Sequence, residues 1–415
     1  MKLVGDIVHL NQEKGLIMYN HAYVFTTTAN NECVLAGKIN TSSLKGEFQY
    51  SNEWLNGASA YPLDPVNLPL TPKRYTVHNL KNTFGVFSDA GPDSWGERIF
   101  LQHHQSLPKN EVERLLRLSG MGVGCLQFSL SRTRPKVPQK YPTIDLLSRL
   151  SNITDHLLLK QPLTEDELQL LDPGSSMGGA RPKVTVSDGN AEWLVKFSRP
   201  DDLIDNPRIE YASMQMLATL GIHTPETKLI ELGQGKSAYL IKRFDRTPDK
   251  PIHFISAHSL FHTDRIRLIT DAHHDPRSYI ALARHLRAHS SDPIADCQEL
   301  YRRMIANVLL GNTDDHARNH AMIYDIKASQ WRLSPAYDML PILGSQGMQA
   351  LGIGIDGRAS TVDNLLSAAA AFGLSRETAL TSIHQLSEGI AGWEKIFSQY
   401  GVSDTDIKSL RLVVK

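Results

Sequence analysis

The segment that most constrains the fold is an apolar helix followed directly by a block of polar residues. Over 296–310 the apolar side chains recur on one stripe, and Gly311 is placed to end the helix. Residues 312–319 then read Asn-Thr-Asp-Asp-His-Ala-Arg-Asn, and a strand-like run follows at 320–324. A single acid in a loop is usually a cap or a surface charge, but this block between two apolar segments predicts a functional loop.

The rest of the chain divides into a β-rich start, a small lobe of strands with one helix, and a large helical lobe. Short β-type runs, a hairpin and several amphipathic helices support this division. The predicted strands are 22–27, 46–50, 183–186, 192–197 and 238–244, and the predicted helices in the first half are 93–103, 109–117 and 208–220. A proline-rich stretch at 132–142 is typical of a linker. The sequence therefore predicts an α+β fold with domains at 1–130, 131–247 and 248–415.

Composition narrows the function classes. The chain has 44 Lys and Arg against 44 Asp and Glu, so it lacks the overall positive charge that makes nucleic-acid binding the first hypothesis. Its apolar stretches fall far short of the roughly 20 residues that span a bilayer, and Asp6 interrupts any secretory apolar region. The 3 cysteines are scattered and form neither a disulfide framework nor a zinc motif. These features predict a soluble, cytoplasmic protein without a membrane partner.

Three features of the small lobe together indicate a phosphate-binding site. The loop at 174–180 is rich in glycine, so its backbone N–H groups could surround a phosphate. Lys196 lies in a predicted strand, and Glu210 lies in the first turn of the next helix. Each has an ordinary structural explanation, namely a turn, a solvated lysine and a carboxylate favoured by the helix dipole. As a pair, a strand lysine and a helix glutamate are the arrangement with which protein kinases hold the α- and β-phosphates.

The polar block supplies the remaining groups for phosphoryl transfer. Asp314 and Asn319 are five residues apart, the spacing at which a kinase catalytic loop places its base and a Mg²⁺ ligand. Asp338 follows 24 residues after Asp314, where a kinase places its second metal-binding aspartate. Asp315 is an alternative base, but the offset to Asn319 favours Asp314.

Histidines offer a weaker metal-site alternative. His316 and His320 are four residues apart, yet zinc sites require three or four ligands of recognisable spacing. A structural or phosphate-contacting role is the better interpretation of His316. The cluster at 273–275, His-His-Asp, has the same weakness and is better explained as a solvated loop.

Several longer motifs occur in a fixed order along nearly the whole chain. They are 92–98, 124–128, 175–183, 241–246, 311–320 and 333–341. In these motifs the chain resembles the HipA-like toxin kinases, serine/threonine kinases of bacterial toxin–antitoxin modules. The resemblance implies a β-rich N-terminal subdomain fused to a two-lobed kinase fold related to phosphoinositide kinases. It also implies ATP and Mg²⁺ as cofactors, a protein substrate, and a small helix-turn-helix antitoxin through which DNA is contacted only indirectly.

The family also suggests roles for the matching positions. In characterised members the substrate is an aminoacyl-tRNA synthetase, and a serine of the Gly-rich loop is autophosphorylated, which switches the kinase off. The matching serines are Ser175 and Ser176, between which the sequence does not decide. The full assignment is a base at Asp314, Mg²⁺ ligands at Asn319 and Asp338, and ATP contacts at Ser175, Ser176, Met177, Gly178, Gly179, Lys196, Glu210, Phe244 and His316.

Two other functions are compatible with the same residues. A catalytically weak kinase fold could act as a scaffold that binds an antitoxin–operator complex without turnover. A kinase of this ancestry could also phosphorylate a small-molecule or lipid hydroxyl. Incubation with labelled ATP separates the three, since the label appears on a protein, on a small molecule, or nowhere.

Overall fold

A computed structural model describes residues 19–415, apart from 80, 93, 105, 119–121, 139, 172–178, 180, 249, 262–276, 326–328 and 345–346. The first part of the chain consists of strands β1 (His21–Thr27), β2 (Cys33–Thr41), β3 (Gly46–Tyr50), β4 (Tyr75–Val77) and β5 (Gln127–Ser129), with helices α1 (Asn52–Leu55), α2 (Gly85–Asp89), α3 (Ser94–His104) and α4 (Glu111–Leu116). The strands form one antiparallel sheet in the order β4-β3-β2-β1-β5. The predicted β-rich start is therefore present.

The small lobe is a four-stranded antiparallel sheet with helices packed beside it. Its elements are α5 (Leu147–Leu158), α6 (Glu165–Leu170), β6 (Lys183–Ser187), β7 (Glu192–Phe197), α7 (Asn206–Thr219), β8 (Thr227–Gly233) and β9 (Lys236–Lys242), preceded by a 3₁₀ turn at Ile144–Leu146. The strand order is β6-β7-β9-β8, and β6 and β7 form the predicted hairpin. Helix α7 starts two residues before the predicted boundary because the Asp205 side chain accepts a hydrogen bond from the Arg208 N–H and Pro207 favours the first turn.

The last part is mainly helical, as predicted. Its elements are β10 (Phe254–Ser256), α8 (Ala257–Leu260), α9 (Tyr279–His289), α10 (Pro293–Leu310), β11 (Ala321–Asp325), β12 (Gln330–Leu333), α11 (Val362–Ala368), α12 (Arg376–Ala391), α13 (Trp393–Gln399) and α14 (Asp404–Leu410), with 3₁₀ turns at Ala317–Asn319 and Ala369–Phe372. Its strands form a sheet in the order β10-β11-β12. Helix α10 begins at Pro293, earlier than predicted, since Asp292 caps its first turn. Among the described residues, none of the helices combines the length and apolarity needed to traverse a bilayer.

The N-terminal part packs against both lobes. Trp95 and Ile99 of α3 belong to the same buried cluster as Val184 and Val195 of the small lobe. The Trp95 indole Nε1 donates a hydrogen bond of 2.7 Å to the Lys183 carbonyl. A second, larger core is continuous from the N-terminal sheet into the helical lobe. The domain boundaries at 130 and 247 stay a prediction, and this packing shows that the three parts share their cores.

A buried network of charges joins the N-terminal part to the end of β9. Arg243 and Asp245, both buried, form an ion pair of 2.8 Å. Arg243 also donates to the Gly122 carbonyl, while the Gly124 N–H donates to Asp245. Burial opposes the charge of Asp245, but Arg243 and Arg246 outweigh burial and hold the pKa of this carboxyl well below its ordinary value. The network fixes the two residues that flank Phe244.

Candidate active site

A cavity of about 660 Å³ lies where the three parts of the chain meet. Its volume is within the range of small-molecule sites in proteins. The small lobe contributes Leu194, Lys196 and Ile241, and the helical lobe contributes His316, Asn319 and Asp338. The N-terminal part closes one side through Ser88, Asp89, Ser94 and Glu97. The cavity therefore has a third wall in addition to the two lobes.

Lys196 occupies the centre of the charged end. Strand alternation puts Leu194 and Lys196 on the cavity face of β7, while Val195 points into the core of the small lobe. The Lys196 Nζ donates to both carboxylate oxygens of Glu210, at 2.6 and 2.8 Å, and to Oδ1 of Asp338 at 2.6 Å. The predicted lysine–glutamate pair is thus formed, and it includes an aspartate 142 residues further along the chain.

The charges of this triad depend on one another. Burial opposes the positive charge of Lys196, but Asp338 and Glu210 outweigh burial and raise its pKa above the ordinary value. Burial raises the pKa of Glu210 despite the neighbouring lysine. Burial also acts to raise the pKa of Asp338, but Lys196 overcomes this effect and lowers it. The triad therefore holds a cation next to an ionised, half-exposed aspartate.

A second lysine lies beside the first. Lys183 is directly opposite Lys196 in the β6–β7 pairing, so both side chains leave the same face of the sheet. Lys183 is buried, and its charge also lowers the pKa of Asp338. Gly179 lines the cavity with a φ of +95°, and an added Cβ there would lie 3.3 Å from the Lys183 Nζ. The other predicted loop residues, Ser175, Ser176, Met177 and Gly178, lie outside the described residues.

The polar block after α10 folds so that its two aspartates differ in environment. Helix α10 ends at Gly311, which has a φ of +69°. The Asp314 side chain is exposed just outside the residues that line the cavity. Asp315 is 1 % exposed and accepts hydrogen bonds from the Tyr279 hydroxyl and from His320. Solvent access thus distinguishes the two acids, since Asp314 is exposed and Asp315 is enclosed.

Asn319 and Asp338 present the oxygen atoms that a hard cation requires. Both side chains line the cavity. The Asn319 amide nitrogen donates to the Asp314 carbonyl at 3.4 Å, and its Oδ1 accepts no hydrogen bond from the described part of the chain. The Asp338 side chain is 38 % exposed and lines the cavity, and its Oδ1 accepts from Lys196. Carboxylate and amide oxygens are the ligands that Mg²⁺ prefers, so these two residues fit the metal.

Part of the cavity lining is apolar and aromatic. Phe244 stacks on Tyr337 with ring centroids 5.5 Å apart, and both rings line the cavity with Leu194 and Ile241. Strand β9 ends at Lys242, two residues before the predicted end, and Phe244 lies in the segment that follows. A flat apolar ring such as adenine suits this part of the lining, while phosphates suit the charged residues around Lys196.

The structure thus brings together Lys196, Glu210, Asn319 and Asp338 as the sequence proposed. His316 also lines the cavity, and its buried Nδ1 has no hydrogen-bond partner among the described residues. Sequence reasoning did not assign the wall formed by the N-terminal part to the site. The motif at 92–98 was the available signal for that wall. Reasoning also missed Tyr279, Asn307 and Asn312, which carry hydrogen bonds behind the site.

Comparison with known proteins identifies related families and a similar solved structure. The model of the HipA-like C-terminal domain matches residues 175–393, and the HipA N-terminal domain matches residues 30–129. The chain is structurally similar to HipA of Shewanella oneidensis MR-1, solved with HipB and operator DNA, with a TM-score of 0.67, 14 % identity and coverage of 94 % of both chains. This likeness confirms the predicted fold.

Two curated bacterial proteins are related in sequence. A Sinorhizobium fredii protein called "Putative kinase Y4dM" is 32 % identical over 160 residues, which are 36 % of this chain and 37 % of that protein. A Haemophilus influenzae protein called "Putative kinase" is 29 % identical over 216 residues, 46 % of this chain and 62 % of that protein. The chain therefore spans less than two thirds of the length of these two relatives.

Proposed function

The chain belongs to the HipA-like family, and from this premise we propose that it is an ATP-dependent serine/threonine protein kinase that acts as the toxin of a toxin–antitoxin pair. The observation that carries the proposal is the triad in which Lys196 contacts both Glu210 and Asp338 inside the cavity. A structural ion pair has no need of a half-exposed aspartate or of an adjoining aromatic slot.

Each residue has a defined task in the proposed reaction. Lys196, fixed by Glu210, neutralises oxygens of the α- and β-phosphates. Asn319 and Asp338 hold Mg²⁺, which when bound offsets phosphate charge. Asp314 orients the acceptor hydroxyl and accepts its proton. Phe244 contacts the adenine, and His316 contacts a phosphate.

The partners follow from the family and the relatives. We propose a protein substrate of the translation machinery, such as an aminoacyl-tRNA synthetase. We also propose a small helix-turn-helix antitoxin, because the similar Shewanella protein was solved with HipB and operator DNA. DNA would be contacted through that antitoxin. Phosphorylation of Ser175 or Ser176 would place negative charge in the loop that covers the ATP phosphates and would thereby weaken ATP binding.

A labelling experiment tests the proposal. The protein is incubated with γ-labelled ATP, Mg²⁺ and purified aminoacyl-tRNA synthetases, and labelled proteins are hydrolysed for phosphoamino-acid analysis. We expect phosphoserine or phosphothreonine with the wild type and none with Asp338→Ala. Label on a small molecule, or no label despite ATP binding, would contradict the protein-kinase assignment.

The toxin role needs its own measurement. We expect induced expression of the wild type to arrest growth and Asp338→Ala to be harmless at the same protein level. Co-expression of a helix-turn-helix antitoxin encoded beside this protein should restore growth if such a partner exists. Equal toxicity of the two proteins would show that any toxicity is unrelated to phosphoryl transfer.

A further inference from the structure

A chain of buried side-chain hydrogen bonds runs behind the candidate site. We call it the buried relay, and every member is at most 2 % exposed. Its members are His320, Asp315, Tyr279, Asn307 and Asn312. The relay begins next to Asp314 in the polar block and ends at the backbone of Asp338. It therefore spans the two segments that carry the proposed base and the proposed metal ligand.

The relay has a single direction, which is fixed by the chemistry of its members. The Tyr279 hydroxyl donates to Oδ2 of Asp315. The tyrosine oxygen then accepts from the Asn307 Nδ2 at 3.1 Å. That orientation leaves the Asn307 Oδ1 to accept from the Asn312 Nδ2 at 2.9 Å. Hydrogen bonds aligned in this way polarise one another in a low-dielectric interior.

The last donor of the relay reaches the proposed metal ligand. The Asn312 Nδ2 also donates to the Asp338 backbone carbonyl, at 3.2 Å. Asp338 has a φ of +62°, a left-handed backbone conformation that residues other than glycine seldom adopt. Such a conformation persists only where the surroundings enforce it. The Asn312 contact, together with the ion pair to Lys196, provides that support on both the backbone and the side chain.

We infer that Asp315, Tyr279, Asn307 and Asn312 are positioning residues that hold Asp338 in its metal-binding conformation and fix it relative to Asp314. The inference rests on the proposed function. The relay touches neither nucleotide nor acceptor, since its members are buried behind the cavity. Its contribution is the orientation of the Asp338 carboxylate, so its loss should weaken binding of the metal–nucleotide complex.

Tyr279→Phe tests the inference with a matched control. It removes the hydroxyl that joins the two halves of the relay and leaves the ring in place. Tyr301→Phe removes an equally buried hydroxyl in α10, which donates to the Leu365 carbonyl at 3.0 Å outside the relay. Tyr301→Phe loses one buried hydrogen bond and Tyr279→Phe loses two, so both should lower the melting temperature, and Tyr279→Phe should lower it more.

Metal-dependent binding separates positioning from stability. Calorimetry measures the affinity for a non-hydrolysable ATP analogue with Mn²⁺ at a temperature where every variant is folded. We expect Tyr279→Phe to weaken this affinity by about three- to tenfold, the worth of one buried hydrogen bond, and Tyr301→Phe to leave it unchanged. Equal affinities for the two variants would overturn the inference.

A second cut in the relay keeps the test decisive if Tyr279→Phe folds poorly. Asn312→Ala removes the contact to Asp338 directly and should weaken the same affinity at least as much. The double variant should bind within about twofold of Asn312→Ala, because effects within one connected chain are not additive. Fully additive losses would overturn the relay as a unit.

The outcomes also distinguish the relay from the proposed function. A wild-type protein that binds the Mn²⁺–nucleotide complex and transfers phosphate, with normal affinity in Tyr279→Phe and Asn312→Ala, would refute the inference alone. A wild-type protein without metal-dependent nucleotide binding would refute the proposed function and the inference together.

Discussion

Replacement of Lys196 by methionine should destabilise the protein in a pH-dependent way. Lys196 and Glu210 are both buried, and both hydrogen bonds that Glu210 accepts from the described residues come from this lysine. Methionine retains the length and apolar stem of lysine but leaves the glutamate without its cation. Breaking a buried pair typically costs about 3–5 kcal/mol, because one charge remains uncompensated.

Protonation of Glu210 limits that cost and gives it a pH dependence. Protonation of a carboxyl with an ordinary pKa of about 4.3 requires roughly 3.7 kcal/mol at pH 7 and about 1 kcal/mol at pH 5. In the variant the folded pKa of Glu210 exceeds its unfolded value. Protonation of Glu210 therefore stabilises the folded variant at low pH, and this stabilisation is lost as the pH rises through the folded pKa. Destabilisation should then grow from about 1 kcal/mol at pH 5 to about 3–4 kcal/mol at pH 7.

Urea denaturation at pH 5 and pH 7 provides the measurement. Lys242→Met is the control, because Lys242 pairs with Glu226 at 2.8 Å in the same sheet and both side chains are about half exposed. Such surface pairs contribute at most about 1 kcal/mol. A loss for Lys196→Met that is the same at both pH values, or no larger than that of the control, would refute the reasoning.

Three further predictions concern the loops of the site. Gly311→Ala should lower the free energy of unfolding by about 2 kcal/mol or more, because φ is +69° and the new Cβ would lie 2.5 Å from the Val413 carbonyl oxygen. The control is Gly373→Ala, where φ is +75° and nothing lies within 4 Å of the new Cβ. This control should lose only about 1 kcal/mol in the same denaturation assay. Asp314→Ala should keep its unfolding free energy within about 0.5 kcal/mol yet slow phosphoryl transfer by about 10²–10⁴-fold, and wild-type rates would exclude the proposed base. Incubation with ATP should add phosphate to Ser175 or Ser176 of the wild type, and peptide mass spectra detect it, with the double alanine variant as the blank. A wild-type peptide without phosphate would show that this regulation is absent.

Local patterns were sufficient to predict much of the site. The hairpin at 183–197 put Lys196 on a strand, and the periodicity of the next helix put Glu210 on that helix. The prediction that Glu210 lies in the first turn was wrong, because the helix already begins at Asn206. Asp338 joined them through the order of motifs and not through periodicity, since its partner lies 142 residues away. What the sequence could not supply was the ion pair itself, which depends on how the two lobes face one another.

Burial separated residues that the sequence treated alike. Asp314 and Asp315 are neighbours, and spacing alone favoured the first. In the structure Tyr279 and His320 enclose the second acid and leave the first exposed, while the choice of Asp314 as the base stays a prediction. Two of the strands that were not predicted have simple explanations. Strand β10 has three residues, too few for a period, and β8 is an edge strand whose residues are mostly half-buried, so no alternation is visible.

The N-terminal part contacts both lobes and connects them, which a division into consecutive domains does not show. On one side the Trp95 indole donates to the Lys183 carbonyl of the small lobe. On the other side Asp89 accepts two hydrogen bonds of 2.8 Å from Ser256, at the start of the helical lobe. Separating the N-terminal part from either lobe would break these contacts, and a buried group left without its partner costs about 1–3 kcal/mol. Because the N-terminal part also forms a wall of the cavity, its contacts with both lobes help to hold the lobes at the separation at which Lys196 reaches Asp338.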